Sequence, residues 1–150
     1  MSVTRRAVLA ILSYALGGLA LALAWSGLAP RASCYAPEGV CVFFAGEMSN
    51  IFFEIDAWFA AFALLLGALF GFTHRSWLAR GLRFQLAGAF LAIASSYAAA
   101  KGIEFLNPLQ VPASGDTNFR DNVISLGTPS ALLMWAFSQQ LVFALTAPQN

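Results

Sequence analysis

Four ionisable side chains, Glu54, Asp56, Lys101 and Glu104, interrupt otherwise apolar stretches of this sequence. A charge held in lipid is costly and is usually offset by a partner, so such residues are where an intramembrane site is sought. Asp56 stands about five residues into one apolar run, about 8 Å at about 1.5 Å per helical residue, and Lys101 stands at a similar depth from the end of another. Two chemistries are open to them. One is a structural ion pair between Asp56 and Lys101. The other is a proton or cation path in which Asp56 conducts and Glu104 is a second station. A path needs polar groups through the whole bilayer, and the remaining lengths of the two runs offer little beyond Gln85, Ser95 and Ser96. Glu54 projects about 200° around a helix from Asp56, which turns it toward water, headgroups or a partner.

Ser138, Gln139 and Gln140 fall near the middle of a further apolar run. Neutral polar groups at that depth bond between helices, and adjacent glutamines diverge by about 100°, so these residues read as bundle glue or as a contact with another protein, headgroup or ligand. Cys34 and Cys41 flank a short segment containing Pro37 and Gly39. On an oxidising face they would close a loop as a staple; the competing reading is a redox pair, but thiol oxidases use further close-set cysteines that this chain lacks. His74 sits beside Arg75 and Trp77 and reads as an interfacial residue, since one histidine builds neither a haem nor a metal site.

These residues are carried on four apolar stretches, at about 7–29, 50–72, 84–105 and 129–147, each close to the roughly 20 residues that cross a bilayer. The apolar residues run continuously instead of alternating, which predicts helices and not barrel strands. Composition agrees: 59% of the 150 residues are hydrophobic and 10% charged, against roughly 45–50% and 25% in soluble domains. Such a balance excludes a disordered chain, a basic nucleic-acid-binding domain and nearly all soluble enzymes. The expectation is one all-α membrane domain spanning residues 1–150, with four transmembrane helices and a short turn between the second and third. Thr4-Arg5-Arg6 and Ala32-Ser33-Cys34 touch on export and lipoprotein signals. The first run is too long for a signal core of roughly 7–15 residues, however, and Arg31 is wrong for a lipobox.

Arg5, Arg6, Arg75, Arg80 and Arg83 gather on one side of this topology, without a carboxylate, and Arg31, Lys101 and Arg120 on the other with all seven acids. The positive-inside rule then sets both termini in the cytoplasm. Ala60, Ala63, Gly67 and Gly71 follow Asp56 at helical spacing, and Ala98, Ala94, Leu91 and Ala87 follow Lys101. Two small-residue faces on consecutive helices are expected to pack together and to bring Asp56 to Lys101. Trp25, Trp58 and Trp77, at helix ends, read as interface anchors.

No Ser/His/Asp or Cys/His set, phosphate-binding glycine loop or metal-ligand cluster is legible, so neither catalysis nor a cofactor is expected. A first span closing in Leu28-Ala29-Pro30, an acidic outer segment with Glu47, then Asp56-Ala57-Trp58-Phe59 opening a glycine-bearing span with an arginine-bearing turn, resembles small multi-pass membrane proteins of actinobacteria. The resemblance implies topology and a bacterial plasma membrane but no chemistry, and the Cys34/Cys41 loop and segment 106–128 depart from that pattern. The expected partners are membrane lipids and other membrane-protein subunits, with no nucleic acid. The leading function is a non-catalytic accessory or assembly subunit of a larger complex. The alternatives are a small channel or transporter using Asp56, Lys101 and the fourth-span glutamines, and an adhesion protein of the claudin type, whose outer loop is much longer.

Overall fold

The first apolar run forms helix α1, Val3–Leu28. Pro30 cannot donate to a further turn, and the last bond runs from the Ala29 N–H to the Trp25 carbonyl. A computed structural model describes residues 3–30, 32–34, 48–106, 120–123 and 126–146. After α1 come strand β1 (Ala32–Cys34), helix α2 (Met48–Thr73), one helical turn α3 (Arg75–Leu78), helix α4 (Leu82–Leu106), strand β2 (Arg120–Val123), a 3-10 run over Pro129–Leu133 and helix α5 (Met134–Thr146). Gly81 links α3 to α4 at φ 127°, a backbone conformation that side chains with a Cβ rarely adopt.

Three helices, within Ala7–Leu28, Asn50–Thr73 and Leu82–Leu106, are long and apolar enough to cross a membrane. The stretch read as a fourth span is only 13 residues of α-helix, preceded by the tighter 3-10 run. The chain is not purely helical. β1 and β2 pair antiparallel, Ser33 opposite Asp121 and Cys34 opposite Arg120, tying the α1–α2 connection to the α4–α5 connection. We call this the strand end of the bundle and the opposite one the α3 end. Cys41 lies outside the described residues, and so does the bridge expected between it and Cys34.

The order of packing departs from expectation. α2 makes its broadest contact with α5, and α4 with α1, while α5 also touches α4 and α1 touches α2. The elements therefore form a ring α1, α2, α5, α4, in which α2 and α4 face each other diagonally despite their short connection. Gly67 and Gly71 lie against α5: a Cβ at Gly67 would collide with the Trp135 carbonyl oxygen, and one at Gly71 would stand 2.6 Å from that of Gln139. Backbones that close exclude any larger residue. On α4 the expected face is wrong. Ala87, Ala94 and Ala98 are exposed, and the buried side is Gly88, Ala92, Ser96, Ala99, Ala100 and Ile103. Alanines occur all around this helix, so their spacing does not single out one face.

Trp25 is not an anchor but part of the core, fully buried, edge-on to Phe59, with its indole N–H bonded to the Ile55 carbonyl at 3.0 Å. Trp58 is exposed and stays compatible with the interfacial role. Large apolar side chains face outward on every long helix, among them Leu16, Leu65, Phe90 and Leu145. An apolar coat this extensive is at odds with water and is compatible with a membrane location.

Candidate functional site

At the strand end, Asp56 and Lys101 do not form the expected pair. Lys101 bonds Glu104 one helical turn on, and the two form an ion pair on α4. Asp56 is 8% exposed. Its Oδ1 accepts the Gly127 N–H at 2.9 Å, while Oε1 of Glu104 accepts the Leu126 N–H at 3.3 Å. The physical reason is the diagonal placement of α2 and α4. Each carboxylate meets the chain that descends between them toward α5, and unpaired backbone N–H groups ahead of a helix are good partners for anions. Glu54 is exposed.

In the interior, the polar residues of α5 divide. The Ser138 hydroxyl donates to the Leu64 carbonyl at 2.8 Å on α2, and the Gln140 amide donates to the Gln85 carbonyl at 3.0 Å on α4. Gln139 is fully buried; its side chain approaches the Tyr14 hydroxyl, but neither of its amide atoms makes a hydrogen bond of full geometry. The same holds for the Tyr14 hydroxyl and the Trp135 indole N–H beside it, whose rings stack at 5.8 Å, and for the Ser96 hydroxyl on α4. Space next to Gly88 brings the Gln139 amide nitrogen and the Tyr14 hydroxyl together: a Cβ there would lie 2.7 Å from the first and 3.2 Å from the second.

At the α3 end, a cleft of about 420 Å³ opens between α1 and the α2–α3 corner. Ala10 and Ser13 line one wall; His74, Trp77 and Arg80 line the other. His74 is half-buried, stacked on Phe70 with ring planes 6° apart, and 5.6 Å from the Tyr14 ring. Its Nε2 lies 3.0 Å from the Ser13 hydroxyl and its Nδ1 3.0 Å from the Thr73 hydroxyl. Ser13 spends its proton on the Ala10 carbonyl at 2.7 Å, and Thr73 on the Leu69 carbonyl at 2.8 Å. Both hydroxyl oxygens therefore face the ring as acceptors, an arrangement that the imidazolium satisfies in full and a neutral ring only by half. Burial acts the other way and holds the His74 pKa below the ordinary imidazole value, with the Phe70 carbonyl partly offsetting it. Because the Ser13 proton is already committed, the Ser13–His74 contact is not arranged as a nucleophile with its base.

Of the residues singled out from sequence, Asp56 and Glu104 thus meet one backbone segment, and Ser138 and Gln140 bond across helices. Ala87, Ala94 and Ala98 stand apart from the packing. The cleft was missed, since His74 alone carried no signal. Ser13 and Tyr14, adjacent polar residues in an otherwise apolar run, were the available hint. No family model, curated protein or solved structure matches the chain.

Proposed function

We infer that this chain is a non-catalytic accessory or assembly subunit of a larger bacterial membrane complex, for instance a respiratory or envelope-synthesis assembly. The use of its polar side chains supports this most. Asp56, Glu104, Ser138 and Gln140 each bond the backbone of another element. A carrier keeps such groups free for its cargo, whereas here they hold α5 and its lead-in. The outward faces, by contrast, offer apolar surface on every long helix for lipid and neighbouring subunits.

The reading includes four crossings of a bacterial plasma membrane with both termini in the cytoplasm. At about 2.0 Å per residue for the 3-10 run and about 1.5 Å for α5, the last segment extends about 30 Å, the thickness of the hydrocarbon core. Arg5, Arg75, Arg80 and Arg83 belong to the α3 end, and every acid on the described helices belongs to the strand end, a distribution that supports the α3 end as the inner one. Cys34 then lies on the outer, oxidising side, where a bridge to Cys41 would staple the first outer connection. The resemblance to small actinobacterial membrane proteins agrees with this location.

Purification in mild detergent followed by native mass spectrometry tests the reading. Stoichiometric partner proteins are expected; a homo-oligomer alone would overturn it. That outcome would favour a second reading, a small channel or transporter, which the buried polar atoms of Tyr14, Ser96, Trp135 and Gln139 without hydrogen-bond partners support. In that case Asp56→Asn would abolish flux in a folded protein.

A further inference from the structure

We propose that the cleft at the α3 end binds a phosphate group, presented by an anionic lipid whose chains continue along α1. Its volume, about 420 Å³, falls in the roughly 300–1,000 Å³ range of small-ligand sites. The donors suit an oxyanion. Arg80 lines the cleft from an exposed position and leans over the Phe84 ring, its guanidinium carbon 5.9 Å from the centroid, with no carboxylate partner among the described residues. Arginine matches a phosphate with two parallel N–H donors and is weakly hydrated, which favours it at such a site. Ser76 adds an exposed hydroxyl to the lining. His74 adds a half-buried ring held between the Ser13 and Thr73 hydroxyls, 3.0 Å from each, which fixes the polar wall of the cleft beside Arg80.

The surroundings select the same ligand. His74 directly follows the apolar segment Asn50–Thr73, and Ser13 lies within Ala7–Leu28, so the cleft straddles the boundary between apolar and polar layers. Leu9 in the lining is half-exposed and continues into the outward apolar side of α1, with Leu12 and Leu16 beyond it. A headgroup in the cleft would therefore have its acyl chains beside leucines. Basic pockets of this kind between membrane helices take anionic headgroups. The inference requires residence in a membrane but not the subunit reading, so either can fail alone.

The test uses the full chain in nanodiscs of mixed phosphatidylcholine and phosphatidylglycerol, with retained lipid counted by native mass spectrometry. The wild type should keep phosphatidylglycerol selectively. Arg80→Gln should weaken that retention about five- to tenfold, the effect of one basic residue near the surface, Arg80→Lys should recover part of it, and Arg83→Gln should retain it. In pure phosphatidylcholine discs, a thermal shift on adding inorganic phosphate that Arg80→Gln removes would make the same site one for soluble phosphate. Equal retention by wild type and Arg80→Gln, or equal loss in Arg80→Gln and Arg83→Gln, would overturn the site. Arg80 is exposed, so its variants leave the packed core untouched.

Discussion

Asp56 on α2 and Glu104 on α4 hold two consecutive peptide N–H groups, those of Gly127 and Leu126, just ahead of the 3-10 run into α5. Two carboxylates from opposite sides of the ring thus anchor the lead-in to the 3-10 run and α5. Asp56→Ala removes the acceptor for Gly127 and should cost about 1 kcal/mol or somewhat more, read from thermal unfolding in detergent. Asn, which keeps an oxygen at that place, should cost less. The charge-swapped pair Asp56→Lys with Lys101→Asp should be worse than either single change. Recovery of stability by the swap would instead mean that the two residues are coupled.

Of the two α2 glycines against α5, Gly67 leaves less room for a Cβ than Gly71. Gly67→Ala should destabilise by about 1–3 kcal/mol, because the added methyl meets backbone and not a movable side chain. Ala94→Leu, on the exposed side of α4, should stay within about 0.5 kcal/mol. The reverse ranking in unfolding experiments would return the helix contact to α2 against α4.

Gln139 is buried without a hydrogen bond to either amide atom. Gln139→Leu should leave stability unchanged or raise it by about 1 kcal/mol, since an unsatisfied polar group is removed at similar volume. Loss of partner assembly in this stable variant would assign the amide to function. A loss of stability would mean that the amide has a partner in the folded protein.

His74 gives the fold a pH dependence of definite sign. Its folded-state pKa is depressed, chiefly by burial. The unfolded chain therefore takes up the proton first, and the contribution to stability is full above the ordinary value of about 6.5. It should fall as pH drops from there through the lower folded-state value. His74→Gln should flatten this part of the profile of unfolding midpoint between about pH 8 and pH 5. A profile identical to wild type would place the titration elsewhere.

The membrane orientation is checked by a single thiol in a cysteine-free background. At Ser76, beside the exposed arginines of the α3 end, it should be shielded from an impermeant reagent in intact cells, and at Ser114 it should react. The opposite labelling would invert the arrangement.

Residue type alone was enough to mark Asp56, Glu104 and the α5 polar group, because charge and amides are conspicuous in apolar runs. Their partners were not legible: Gly127, Leu126, Leu64 and Gln85 contribute only backbone atoms. The Gly67/Gly71 stripe was visible as a close-packing face, yet a short connection to α4 pointed at the wrong neighbour. The ring order depends on α5 slotting between α2 and α4, which no local spacing encodes. For α4, alanine on all sides erased the periodicity from which a buried face is read. The cleft depended on bringing Ser13 to His74, a contact between distant parts of the chain.

The slot between α2 and α4 also sets a timetable. α5 is translated after the other helices, and until it arrives the glycine face of α2 and the Tyr14 side of α1 have nothing to close against. A chain ending before Met134 would therefore leave these two faces uncovered. Closure of the bundle thus depends on its last segment, whose lead-in is held by Asp56 and Glu104.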